Sequence, residues 1–173
     1  MAKKDRPTIC TVCYVVEFKK KMILLGHKRK RQNSKSLGVG KWNGHGGHWK
    51  DSETIEATVA RELLEESGLI VHSMEKRGIA LAKNEAKNTL IELHIFFVHD
   101  YDGELLLQTD EMINQWFTID EIPYDQMWAS DQILLPLFFA GKQVAGWFHY
   151  YDDNHLIWHK IEEVVLLPNS IEW

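Results

Sequence analysis

From residue 8 to 18 the chain is a nearly unbroken run of Ile, Val, Thr, Cys and Tyr, which suits a buried β-strand. Lys19, Lys20 and Lys21 interrupt it and a second apolar run covers 22–26, so the pair predicts a hairpin, although without an Asn-Gly turn. Residues 29–41 are polar and punctuated by Gly38 and Gly40, the pattern of an exposed loop. The stretch 43–48 then holds Gly44, Gly46 and Gly47. Good helix formers fill 53–67, with Asp51 and Ser52 as candidate caps and Gly68 as a stop, and predict a helix.

Further on, short apolar segments at 69–71 and 78–82 precede a turn at 84–88 and a long β-type run at 90–98. Trp116 and Phe117 mark a short strand. A second helix is expected over 133–139, with Pro136 as its kink or as part of its early turns. The runs 143–151 and 155–167 flank Asp152, Asp153 and Asn154 and predict a closing hairpin. Strands outnumber helices and fall mostly in hairpins, so the expected class is α+β, a mixed sheet covered by one or two helices. No repeat or linker divides the chain, and 173 residues suit one domain over 1–173.

Composition narrows this picture. Hydrophobic residues at 45%, with 7 Trp and 7 Phe, exclude a disordered chain. The longest apolar stretch, 133–140, is far short of the ~20 residues of a membrane helix. Met-Ala-Lys-Lys-Asp-Arg-Pro opens the chain without an apolar segment behind it, so no secretory signal is read and a cytoplasmic protein is expected. The net charge of -5 conceals a split: residues 1–50 carry 13 Lys+Arg against Asp5 and Glu17, and all the other acids follow. Cys10 and Cys13 lie an odd number of positions apart in a strand, facing opposite sides, and read as two small hydrophobes rather than a metal or disulfide pair. His45 and His48 in the glycine-rich stretch and His94 in a strand read as structural residues rather than ligands.

The helix over 53–67 carries an unusual acid pattern. At ~100° per residue, with Ile55 at zero and Val59 near 40°, Glu62 falls near -20° and Glu66 near 20°, with Glu65 beside them near -80°. Two carboxylates thus continue an apolar stripe, where a solvated acidic face should lie opposite it. Carboxylates at such spacing repel. Hard oxygen donors of this kind suit Mg²⁺ or Mn²⁺; helix geometry alone equally allows a Glu-rich charged helix end.

The ordered pattern separates the two. Gly47, Glu53, Arg61-Glu62-Leu63, Glu65-Glu66 and Gly68-Leu69 match all nine fixed positions of GX5EX7REUXEEXGU, where U is bulky and aliphatic. The chain therefore resembles the Nudix hydrolase superfamily. That resemblance implies an α/β/α sandwich around a mixed sheet, with the motif as loop-helix-loop, and Mg²⁺-dependent (Mn²⁺ possible) hydrolysis of a nucleoside diphosphate linked to another group. It implies Glu62, Glu65 and Glu66 as metal ligands, a backbone carbonyl from Gly46, Arg61 as orienter of the glutamates, and Glu53 as support for the helix start.

Outside this box, Trp42-Asn43-Gly44, Thr109-Asp110-Glu111-Met112, Trp116-Phe117, Ile122-Pro123, Met127-Trp128, Asp131 and Gly146-Trp147-Phe148 are similar in order to the MutT-type members that cleave oxidised purine nucleoside triphosphates, with 8-oxo-dGTP the best single substrate. On this resemblance Glu111 joins the metal cluster and can act as a base, Asn43 hydrogen-bonds the purine, Trp128 stacks on it and Asp131 reads its Watson–Crick edge. Three positions depart from that family: Ser130 replaces one of two adjacent acids, His48 replaces a lysine, and Leu37 replaces a pocket aromatic. An acid pair can share a proton and match different purine edges, so Ser130 should narrow or alter base preference. Glu85 stands where a proline, ~16 residues past the box, would suggest an ADP-ribose pyrophosphatase. A sensing module that binds without turnover is disfavoured because every box glutamate is present; a Nudix enzyme for dinucleoside polyphosphates, nucleotide sugars or unmodified dNTPs is the other alternative. The expected partner is a small nucleotide, met by a monomer, with neither duplex nucleic acid nor membrane involved.

Overall fold

The computed structural model describes residues 6–30 and 37–173, so part of the 29–41 loop and the first five residues lie outside the described residues. In chain order the elements are β1 (Thr8–Glu17), β2 (Met22–Lys28), β3 (Trp42–Asn43), α1 (Ile55–Ser67), β4 (Ile70–Asn84), β5 (Thr89–Asp102), β6 (Met112–Thr118), α2 (Ala129–Phe139), β7 (Val144–Tyr150) and β8 (Leu156–Glu163). They form one sheet in the order β3-β2-β1-β5-β4-β7-β8, with β6 paired to β2. The β1/β5 and β4/β7 pairs are parallel and the others antiparallel, the expected mixed sheet.

Side-chain alternation along β1 sorts the core onto two faces. Val12, Tyr14 and Val16 pack with Leu134, Leu135 and Phe138 of α2, whereas Cys13 and Val15 pack with Val59 and Leu63 of α1. Cys10 borders a cavity on the α2 face, so the two thiols, both free and buried, do face opposite sides. Burial pushes both thiols upward, Cys10 to about 11, which makes them inert.

The sheet divides where the chemistry sits. The β1–β2 hairpin closes through a 3-10 turn and Lys21 at φ 52, but the two strands pair only from Val15↔Leu24 to Glu17↔Met22. While β6 pairs β2 along its whole length, from Met22 to Lys28, β2 meets β3 at Gly26 and His27 beyond the β1 pairs, and the glycine-rich segment takes the vacated edge of β1. Cys13 N–H donates to His45 O at 2.7 Å, Thr11 N–H to Gly47 O at 2.9 Å, and Trp49 N–H to Ile9 O at 3.0 Å. The glycines answer to close approach here. A Cβ on Gly46 would stand 2.0 Å from Thr11 O, and one on Gly47 would stand 2.5 Å from the Glu62 carboxyl.

Several element boundaries differ from the sequence reading. Helix α1 begins at Ile55, capped by Thr54 Oγ1, which accepts from Ala57 N–H at 3.1 Å; Asp51 and Ser52 do not cap it, and Glu53 lies outside it. The segments expected at 69–71 and 78–82, all but Leu69, belong to one 15-residue strand, β4, which bulges twice around Ser73 and again between Lys76 and Gly78. Mostly polar residues across 72–77 hide that strand, yet pairing with β5 carries it through the bulges to Asn84. Likewise β6 extends back to Met112, and β8 ends at Glu163. Helix α2 starts at Ala129 and continues through Pro136, because the carbonyl that loses its partner belongs to Gln132 on the exposed side. The final residues return over β7: Trp147 Nε1 donates to Glu172 O at 2.7 Å, and Ile171 N–H to Glu92 Oε2 at 3.2 Å.

Candidate active site

Arg61 on α1 organises the acids of the box. Its Nε and Nη2 hold the two oxygens of Glu53 at 2.6 and 3.0 Å, Nη1 reaches Glu62 Oε1 at 2.6 Å, and Glu65 Oε2 lies 3.5 Å away. Being outside the helix lets Glu53 face this guanidinium with both oxygens and accept from Thr58 Oγ1 at 2.9 Å. Hydrogen bonding to Arg61, opposed by some desolvation, holds the Glu53 carboxyl down at about 2.

Glu66 is placed differently. It is 4% exposed, and its Oε2 accepts from Gly46 N–H at 2.9 Å. Burial pushes its carboxyl up to about 8; the Gly46 hydrogen bond and the Lys28 charge pull it down, while Glu62 and Glu111 push it further up. Glu62, Glu65, Glu66 and Glu111, with Thr109 and Asp110, enclose a polar cavity of about 230 Å³. Glu111 arrives on a tight loop, in which Thr109 Oγ1 accepts from the N–H groups of Glu111 and Met112 at 3.3 and 3.1 Å. Arg29 braces that loop: its N–H donates to Glu111 O at 2.8 Å and its Nη1 to Thr109 O at 3.0 Å.

These donors fit a hard divalent cation. They are carboxylate oxygens, among them those of four glutamates gathered around one cavity, whose mutual repulsion a cation would offset. Among the described residues, no three His, Cys, Asp or Glu side chains already converge on one point.

A second, mostly apolar cavity of about 360 Å³ opens on the α2 face. Asn43, Trp128, Ser130, Asp131 and Leu37 all line it, so the structure brings together five residues spread over 95 positions, from 37 to 131. Asp131 is buried; its Oδ1 accepts from Tyr14 Oη at 2.9 Å and its Oδ2 from Trp128 N–H at 3.1 Å. Burial pushes the Asp131 carboxyl up to about 7, against the downward pull of Tyr14, Trp128 and Lys41. Trp128 meets Tyr150 edge-on at 5.6 Å and has Lys41 Nζ 5.3 Å from its ring centroid. Ser130 turns its N–H to Tyr150 Oη at 3.0 Å. Gly46 links the two cavities, lining the apolar one and donating to Glu66 of the polar one.

The histidines are held in the framework. His45 is buried, its Nε2 is 2.8 Å from Asn114 Oδ1, and burial pushes it down to about 4, a neutral imidazole. His94 is buried against Glu92 at 3.0 Å, on the opposite face of the sheet from the apolar cavity. The sequence reading missed Tyr14, Lys28, Arg29 and Asn114. An asparagine inside the apolar run of β6, and a tyrosine amid the valines of β1, were the only available signals for two of them.

Comparison with known proteins identifies the family. A family model for the NUDIX domain matches residues 6–138. An oxidized purine nucleoside triphosphate hydrolase of Danio rerio is 42% identical over 142 residues, covering 82% of this chain and 87% of the relative. The mouse (Mus musculus) protein of the same name is 34% identical over 150 residues, covering 87% and 92%. Among solved structures, the MutT protein of Bacillus halodurans superimposes with a TM-score of 0.76 at 28% identity, covering 90% of this chain and 97% of its own. The matched family model and the extent of these relatives show that the chain belongs to the Nudix family.

Proposed function

We propose that the protein hydrolyses oxidised purine nucleoside triphosphates, 8-oxo-dGTP foremost, to the monophosphate and pyrophosphate, and so clears damaged nucleotides from the precursor pool. One observation carries this reading: Gly46 joins an apolar, purine-sized cavity with a buried acid to a cavity ringed by four glutamates. The substrates in the names of the zebrafish and mouse relatives support it.

In this scheme Trp128 stacks on the purine, Asn43 and Asp131 hydrogen-bond its edge, and Leu37 and Ser130 complete the walls. Glu62, Glu65, Glu66 and Glu111, with the Gly46 carbonyl, hold Mg²⁺, for which Mn²⁺ can substitute. When bound, the metal neutralises phosphate charge and acidifies the attacking water. Arg61 keeps Glu62 and Glu65 oriented through its hydrogen bond and ion pair, and Glu53 fixes Arg61 in turn. Lys28, bordering the apolar cavity and close enough to pull Glu66 down, faces the path of the phosphates. The working form is a cytoplasmic monomer acting on a small nucleotide, with neither a duplex nor a membrane as partner; the net charge of -5 supports the nucleic-acid part of that reading.

The test is pyrophosphate release from 8-oxo-dGTP, 2-oxo-dATP, dGTP, dATP and diadenosine tetraphosphate with Mg²⁺ supplied. The oxidised triphosphates should lead in kcat/KM, and Glu65→Gln or Glu66→Gln should lower kcat about a hundredfold or more. Full activity in either variant refutes the assigned roles. Equal kcat/KM for oxidised and ordinary purines refutes the sanitising activity.

A further inference from the structure

Tyr14 belongs to a strand of apolar side chains, and its ring, 2% exposed, meets Phe97 edge-on at 6.3 Å. Packing accounts for the ring and leaves the hydroxyl unexplained. That hydroxyl lies 2.9 Å from Asp131 Oδ1 and 3.3 Å from Asn43 Oδ1, so it touches two of the polar side chains that line the apolar cavity. The residue is 117 positions from Asp131 in sequence and belongs to no motif of the chain.

Its effect follows from donor and acceptor counting. A carboxylate offers about four acceptor sites, whereas a protonated carboxyl donates from one oxygen. Tyr14 Oη–H and Trp128 N–H both donate to Asp131, one to each oxygen, an arrangement that favours the ionised form and leaves a lone pair on each oxygen for a ligand. Asn43 Oδ1 already accepts from Gly44 N–H at 2.8 Å, so its amide N–H is what it turns to a ligand. A guanine-type edge presents two adjacent donors, N1–H and the 2-amino group, and matches an ionised Asp131. An adenine-type edge presents N1 as an acceptor and needs the acid to donate. Ser130, whose N–H is directed to Tyr150, supplies no second acid to carry the proton instead.

Resting on the activity proposed above, we propose that Tyr14 is a specificity-determining residue: its hydroxyl holds Asp131 as a hydrogen-bond acceptor and selects oxidised purines with a guanine-type edge over those with an adenine-type edge. The surroundings of Asp131 agree. Tyr14 of β1, Tyr124 of the turn before α2, Tyr150 of β7 and Lys41 ahead of β3 are the titratable groups around it, and among them only Tyr14 and Lys41 draw its carboxyl down against burial.

The experiment compares kcat/KM for 8-oxo-dGTP and 8-oxo-dATP, which share the 8-oxo group and differ at the Watson–Crick edge, in wild type and in Tyr14→Phe across pH. In the variant the 8-oxo-dGTP preference should fall about tenfold or more, the size expected of one charge-assisted hydrogen bond. The acid limb of its 8-oxo-dGTP profile should also move to higher pH. An unmoved preference overturns the proposal, and so does an unmoved limb. A second readout needs no variant: between about pH 6 and pH 9 the wild-type preference for 8-oxo-dGTP should shrink as the solution is acidified, and a flat ratio overturns the proposal as well. Absence of pyrophosphate release from both nucleotides in wild type overturns the activity itself and this inference with it, whereas turnover with no change in preference overturns the role of Tyr14 alone.

Discussion

The role proposed for Asp131 would come at the expense of stability. Its carboxyl is raised from an ordinary 3.8 to about 7, chiefly by burial, so between those values the folded chain binds a proton that the unfolded chain has released. Stability from this group is therefore greatest below pH 4 and declines as the pH rises through about 7, where the fold must bury a charge. Asp131→Asn removes that charge while keeping a carbonyl to accept from Tyr14 or Trp128. Its expected gain at pH 8 is at most about 4 kcal/mol, shrinking on acidification and vanishing near pH 4. Melting temperatures of wild type and variant across that range check the sign: a variant less stable at pH 8 means that the hydrogen bonds to Asp131 outweigh its desolvation. The same variant should lose purine selectivity, which separates the stability contribution from the recognition role proposed for it.

At the scale of elements, β6 does more than add a strand beside β2. Asn114, buried within it, meets His45 of the glycine-rich segment at 2.8 Å and donates through Nδ2 to Glu66 O at 2.8 Å and to Leu106 O at 2.7 Å. One side chain thus fastens the approach segment, the end of α1 and the loop leading to Glu111. Asn114→Ala leaves buried partners unsatisfied, so a loss of about 3 kcal/mol is expected, together with a lower kcat as the backbone of Glu66 loosens. Thermal unfolding and steady-state rates measure the two effects, and unchanged stability would show that water replaces the amide. This network also marks the limit of what sequence reveals. The nine box positions and α1 are local, held within 23 residues, and their fixed spacing exposes them directly. Asn114 and His45 are 69 positions apart, and Arg29 and Thr109 are 80 apart, so the fold alone makes them partners. The same reasoning applies to β4, whose polar stretch breaks the apolar pattern while β5 supplies the missing hydrogen bonds. It applies to β3 too, a two-residue strand too short to carry any periodicity.

Across the whole molecule, charge presents a conflict that the fold resolves. The first 50 residues hold 13 of the 20 Lys+Arg and only two acids, while the other 23 acids, the four site glutamates among them, follow. A triphosphate approaching a protein of net charge -5 is repelled by the total and attracted by the front. The sheet determines which of these it meets first. Because β2 leaves β1 after three pairs, the basic end of β2 places Lys28 at the apolar cavity, where Lys41 lies beside Trp128, while the glutamates line the separate polar cavity. The local field should therefore govern encounter, with a screening distance of ~8–10 Å in ordinary buffer. Under subsaturating 8-oxo-dGTP at fixed Mg²⁺, raising NaCl from about 50 to 300 mM should lower kcat/KM several-fold, and Lys28→Gln should both lower the rate and flatten that slope. A kcat/KM that rises with salt would mean instead that the acidic bulk dominates and that the basic front contributes only solvated charge.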